Sequence, residues 1–163
     1  MELHSSNQLT LSLATQDARR IIEQQKEERQ FLYTQINILF VTNTALLSIL
    51  ALSKLLPVFN IFSAGEVILS LLNFTLLFNA LIPRQFIITP NLENTDILAE
   101  YLSLSPEDYQ VRMLVNLVEA YNNNKQPLNQ ISQSLSYAAV ATWSIALIAL
   151  MHMASVYFLP YTK

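Results

Sequence analysis

Cysteine is absent from the chain and glycine occurs once, at Gly65. Without thiols there can be no disulfide and no thiolate metal site. A single glycine excludes a glycine-rich phosphate loop and leaves few positive-φ positions for the turns of a sheet protein. Histidine occurs twice, at His4 and His152, and neither has carboxylate or thiol neighbours at the spacing of a metal-ligand set. Serines are plentiful, but none stands in a pattern that pairs a nucleophile with a base. We therefore expect no catalytic residue, no metal, no cofactor and no enzymatic activity. Charge is scarce as well: 13% of the 163 residues are charged, against about 25% in a typical globular domain. The net charge of −3 and an isoelectric point near 5.3 supply no basic face for nucleic acid.

What is present is apolar. The chain is 52% hydrophobic with a mean hydropathy of +0.33, and the apolar residues are gathered in long runs. A hairpin from Ile36 to Pro83 is more than a soluble domain of this size could bury. Its second arm, Ile61 to Ile82, carries one charge, Glu66, and has the length a helix needs to cross a hydrocarbon layer of about 30 Å. Between Val67 and Ile82 stand eleven Val, Ile, Leu and Phe residues; at roughly −0.3 to −0.6 kcal/mol each, they contribute about −3 to −6 kcal/mol toward insertion. Glu66 lies toward the end of the run and subtracts less than the roughly 2.5–3.5 kcal/mol of a mid-span acid. The first arm, 36–56, is similar, and a third run, Tyr137 to Leu159, has no formal charge. Helices satisfy their own backbone hydrogen bonds where no water is at hand. The expected fold is an all-α membrane protein, a single domain over 1–163 with three transmembrane helices at 36–56, 61–82 and 137–159.

The segments between and before these runs follow from capping signals and periodicity. Residues Met1 to about Leu13 are polar and read as frayed. They do not form a signal peptide, since the first apolar run comes late and no small-residue cleavage pattern follows it. From Thr15 helix formers run without Gly or Pro, giving a cytoplasmic helix over 15–34 that continues into the first span. Ala18, Ile21, Ile22 and Gln25 form a thin stripe on it, suited either to docking on a neighbouring helix or subunit or to a solvated stalk. Lys54 and Pro57 close the first span, and Asn60 with Ser63 opens the second. Pro83-Arg84 ends the hairpin and begins a helical segment over 84–136. Asn94-Thr95-Asp96 caps a short helix to about Leu102. Ser105-Pro106-Glu107-Asp108 is a strong start signal, with a serine cap, proline at the first helical position and two acids in the first turn. Met113, Leu114, Leu117, Val118 and Tyr121 then recur at helical spacing, as in an amphipathic helix outside the hydrocarbon. The run Asn122 to Pro127 predicts a break or a kink, after which Leu128, Ile131 and Leu135 resume the stripe. Tyr157 and Tyr161 stand where an interfacial aromatic belt is expected.

Basic residues give the orientation. Arg19, Arg20, Lys26, Arg29, Arg84, Arg112 and Lys125 fall on one side of a three-span topology, and Lys54 and Lys163 on the other. The positive-inside rule places the amino terminus and the 84–136 segment in the cytoplasm and the carboxyl terminus outside. Within the spans, Glu66, Ser70 and Asn73 share a face with Ser63; Ser144, His152 and Ser155 share one on the third span; Thr44 and Ser48, with Asn37, form a thinner line on the first. Such faces turn away from lipid. They either hold the helices together, at about 0.6–2 kcal/mol per interhelical hydrogen bond, or line a cavity or conducting path on assembly of several copies. Glu66 is the foremost candidate, with His152 or Lys54 as its partner.

Four stretches carry a resemblance: VTNTALLSILAL at Val41 to Leu52, ALIPR at Ala80 to Arg84, YLSLSPEDYQ at Tyr101 to Gln110, and Lys125 with QISQSLSYA leading into the last span. Their order and spacing resemble the small transmembrane effectors of bacterial pyrimidine-cyclase antiphage systems and, more loosely, transmembrane effectors of other nucleotide-signalling defence systems. The resemblance implies a homo-oligomeric inner-membrane protein, quiescent until a cyclic pyrimidine nucleotide or an upstream cyclase signals infection, which then impairs the bilayer. Arg112 and Lys125 are the candidates for coupling the signal. The alternative is a small accessory or scaffold subunit of a larger membrane complex.

Overall fold

The computed structural model describes residues 2–56, 60–87 and 95–158, with side chains from residue 8 and, in the last stretch, from residue 99. All its regular structure is helical: α1 (Glu2–Leu52), α2 (Ile61–Leu81), α3 (Thr95–Ser103) and α4 (Pro106–Phe158). Pro57, Asn94, Leu159 and Tyr161, expected at helix ends and in an aromatic belt, lie outside the described residues. Three helices, α1, α2 and α4, are long and apolar enough to cross a membrane. Only 17–28% of their most apolar stretches is buried inside the protein. Large side chains such as Ile68, Leu71 and Phe78 on α2, and Val140, Trp143 and Leu147 on α4, stay exposed, an apolar surface far beyond what water-soluble monomers carry.

The chain divides into two compact units, one of residues 1–30 and 84–128, the other of 31–83 and 129–163. Both α1 and α4 contribute to both units without interruption. Two expectations are corrected here. The amino-terminal residues are helical from Glu2: they contain no Gly or Pro, and extending a nucleated helix costs little. Of the break or kink expected between Asn122 and Pro127, the break is ruled out, since α4 runs on through Pro127. The carbonyl that proline deprives of a partner belongs to Asn123, which is exposed.

In the first unit Ala18, Ile22 and Gln25 of the stripe on α1 dock, whereas Ile21 is exposed. Ile22 packs with Met113, Leu117 and Ala120 of α4, flanked by Ala18, Tyr109 and Tyr121, and Gln25 Nε2 donates to the Tyr121 carbonyl at 3.2 Å. The start of α4 follows its sequence signal, with the Asp108 amide donating to Ser105 Oγ and Ser105 Oγ to Asp108 Oδ2. Helix α3 is held by Asn116, whose amide donates to the Tyr101 hydroxyl, and by the half-exposed Glu100–Arg112 ion pair at 2.9 Å. Asn124, from the run expected to interrupt the helix, is fully buried. Its side chain accepts from the Ile87 amide at 2.9 Å and donates to the Ile87 carbonyl at 3.0 Å, pinning the segment that follows α2.

In the second unit α1 ends at Leu52 in a Schellman motif. The Leu55 amide bonds the Leu50 carbonyl, the Lys54 amide bonds that of Ala51, and Lys54 takes φ 57. Leu50 and Leu55 then pack with Ile145 and Ala149 of α4. Helix α2 opens with a reciprocal capping box between Asn60 and Ser63. Phe40 of α1 meets Phe74 and Phe78 of α2 edge-on at 5.4 and 6.1 Å.

Candidate functional site

The buried face of α2 is polar along most of its length. Ser63, Glu66, Ser70 and Asn73 are buried, followed by Leu77 and Ala80. At its amino-terminal end, His152 of α4 lies between two partners: Nδ1 is 3.1 Å from Glu66 Oε1, and Nε2 is 2.8 Å from Asn60 Nδ2. Glu66 and His152 are fully buried, and the Phe62 ring stacks on the imidazole at 5.5 Å.

The hydrogen-bond network assigns the proton on this ring. Asn60 Oδ1 accepts the Ser63 amide of the helix cap at 2.8 Å, so the amide group presents its NH₂ to the histidine. Nε2 must then accept, which leaves Nδ1 to carry the hydrogen that it donates to Glu66. The local signal that starts α2 therefore also orients a side chain on α4. Lys54, the other candidate partner of Glu66, is exposed on the turn after α1.

About two turns further along, one residue from each long helix forms a second cluster. Asn73 Nδ2 donates to Asn43 Oδ1 at 2.7 Å and to Thr142 Oγ1 at 2.9 Å. Asn43 Nδ2 donates to Thr142 Oγ1 at 2.9 Å and to the Leu39 carbonyl of its own helix at 2.7 Å. The Thr142 hydroxyl donates to the Ala138 carbonyl at 2.8 Å. All three side chains are buried. Glu66 Oε2, Ser70 Oγ and Asn73 Oδ1 remain buried without a hydrogen-bond partner in the protein, each a cost of about 1–3 kcal/mol if left so.

Of the residues the sequence singled out, the structure brings Glu66, Ser70, Asn73 and His152 to one buried line. Ser155, half-buried, bonds the His152 carbonyl at 2.8 Å. Thr44 and Ser48 do not join it: they are exposed and bond the carbonyls of Phe40 and Thr44 on their own helix. Ser144 bonds Val140 in the same way. Hydroxyls that satisfy themselves one turn back need no polar neighbour, which is why the face assigned to α1 is corrected to that of Asn43. Sequence reasoning missed Asn43, Thr142 and the second role of Asn60. Arg112 is engaged by Glu100, and Lys125 is exposed; both belong to the other unit. Among the described residues no group of three or more His, Asp or Glu could hold a metal ion.

No protein-family model, curated protein or solved structure matches the chain.

Proposed function

We propose that the chain is a non-enzymatic, homo-oligomeric effector of the bacterial inner membrane, which impairs or gates the bilayer in antiphage defence when a nucleotide second messenger or its cyclase signals infection. The unit of 31–83 and 129–163 lies in lipid, with the amino terminus and the 84–136 segment in the cytoplasm and the carboxyl terminus outside. The observation that carries the effector reading is the continuity of α1 and α4. Both pass without a break from a unit in which α1 docks on α4 at Ile22 into one whose apolar side chains point outward around a buried polar line. A change in how Ile22 and its α4 partners pack can then be transmitted along the two continuous helices. The messenger class comes from the resemblance described above.

The test is membrane potential in cells. Induced expression together with a pyrimidine cyclase should collapse the potential reported by a voltage-sensitive dye, and Glu66→Gln should alter that response. An unchanged potential contradicts the proposal.

One observation favours a second reading. The contacts among Asn43, Asn73 and Thr142 are made within a single copy, as in a subunit whose polar groups serve only to pack its helices inside a larger complex. In that case the potential stays intact and the chain co-purifies in fixed stoichiometry with other membrane proteins.

A further inference from the structure

The three residues of α2 whose side-chain oxygens lack a partner follow one another about one turn apart. From Glu66 to Ser70 the helix rises about 6 Å and from Ser70 to Asn73 about 4.5 Å. One water accepting or donating two hydrogen bonds of about 2.8 Å bridges roughly that distance. Two of the atoms, Glu66 Oε2 and Asn73 Oδ1, are acceptors awaiting a donor, and Ser70 Oγ between them can both give and take. Buried waters settle where two to four such groups converge. Toward the start of α2 the line continues through His152 to Asn60, which is only half-buried. From Asn60 to Asn73 it covers about 20 Å, or two-thirds of a hydrocarbon layer of about 30 Å. Beyond Asn73 the same face presents Leu77 and Ala80, both fully buried, and polarity stops.

We infer that this unit encloses a file of hydrogen-bonded waters that admits protons from the Asn60 end and is shut by Leu77, a proton half-channel within one copy of the chain. The inference rests on the proposal that the unit lies in lipid, and not on a messenger or on assembly. A proton taken up at Nε2 of His152 as the Asn60 amide turns aside releases the Nδ1 hydrogen to Glu66, and from there it shifts from water to water as far as Asn73. Transfer across the membrane would require each entering proton to be matched by one leaving, and the apolar Leu77 layer prevents that. Hydrophobic constrictions of this kind hold pores closed by excluding water.

The experiment uses the full chain in phosphatidylcholine–phosphatidylglycerol liposomes holding a pH-sensitive dye and carboxyfluorescein, with valinomycin and a potassium gradient as driving force. Wild type should pass protons no faster than empty liposomes. Leu77→Asn should raise proton flux by about tenfold or more, Leu77→Asn with Glu66→Leu should return it to the wild-type rate, and carboxyfluorescein should stay inside throughout. Flux unchanged by Leu77→Asn, or flux that survives Glu66→Leu, overturns the half-channel. Carboxyfluorescein release by the wild type overturns it too, while supporting a wider, assembled pore. Water-edited solid-state NMR of the wild type is independent of any variant's folding: transfer from water protons to the Asn73 side-chain nitrogen is expected, and its absence overturns the inference. A failed half-channel leaves the effector proposal standing, since that proposal is read from depolarisation in cells.

Discussion

The side-chain nitrogen of Asn60 lies 2.8 Å from Nε2 of His152, so the residue that begins α2 also determines which nitrogen of a ring 92 positions away carries the hydrogen. Replacing that donor should therefore be felt on α4. In Asn60→Asp the cap is kept, because aspartate caps as well as asparagine, but an acceptor now faces Nε2. Nitrogen NMR of the His152 ring should show a protonated Nδ1 and bare Nε2 in the wild type, and a protonated Nε2 in the variant. A wild-type ring already protonated at Nε2 contradicts the assignment.

Glu66 and His152 should be unequal to remove. Glu66→Leu strands the Nδ1 hydrogen at a cost of about 1–3 kcal/mol. His152→Leu strands both Glu66 Oε1 and the Asn60 amide and costs more, about 2–6 kcal/mol for two such groups. The double variant Glu66→Leu/His152→Leu should be more stable than His152→Leu alone, since the Glu66 carboxylate is then no longer left behind. Denaturant unfolding in detergent micelles measures the order, and a double variant weaker than both singles refutes the pairing.

Asn43 and Asn73 should be coupled. Each is bonded to the other and both to Thr142, so the combined effect of Asn43→Ala and Asn73→Ala should differ from the sum of the single effects by about 0.5–2 kcal/mol. The same unfolding assay reads this, and strict additivity would show that the cluster does not form.

Lys54 holds φ 57 at the end of α1, where a side chain other than glycine pays about 1 kcal/mol or more. Lys54→Gly should raise the unfolding midpoint and Lys54→Val lower it. Equal midpoints for the two would contradict the left-handed cap.

What could be read in the sequence, and what could not, follows from how each group satisfies itself. The apolar runs are long enough that α2 was bounded to within a residue, and Ser105 to Asp108 gave the start of α4, because both signals are local. The Glu66–His152 pair was within reach because each is the only acidic or basic residue of its described apolar run. The polar face of α1 was misjudged at Thr44 and Ser48. Counting polar residues treats hydroxyls and amides alike, whereas a serine or threonine can satisfy its hydroxyl on its own helix. A mid-span asparagine has two donors and an acceptor, more than one turn of helix can serve, and that difference would have pointed to Asn43. The passage of α4 through Pro127 was not legible for another reason. Proline signals a lost hydrogen bond, but whether water can replace it depends on the exposure of Asn123, a tertiary property.

All of this turns on lipid surrounding the apolar helices. Because the chain has no cysteine, single cysteines introduced in a silent background report sidedness cleanly. The decisive measurement is labelling of Ser53→Cys, Leu71→Cys and Lys125→Cys in intact cells with a membrane-impermeant maleimide. Ser53→Cys should label from outside, Lys125→Cys only after the cells are permeabilised, and Leu71→Cys in neither case. Recovery of the chain in the soluble fraction, with all three positions labelled alike in detergent-free buffer, would contradict it.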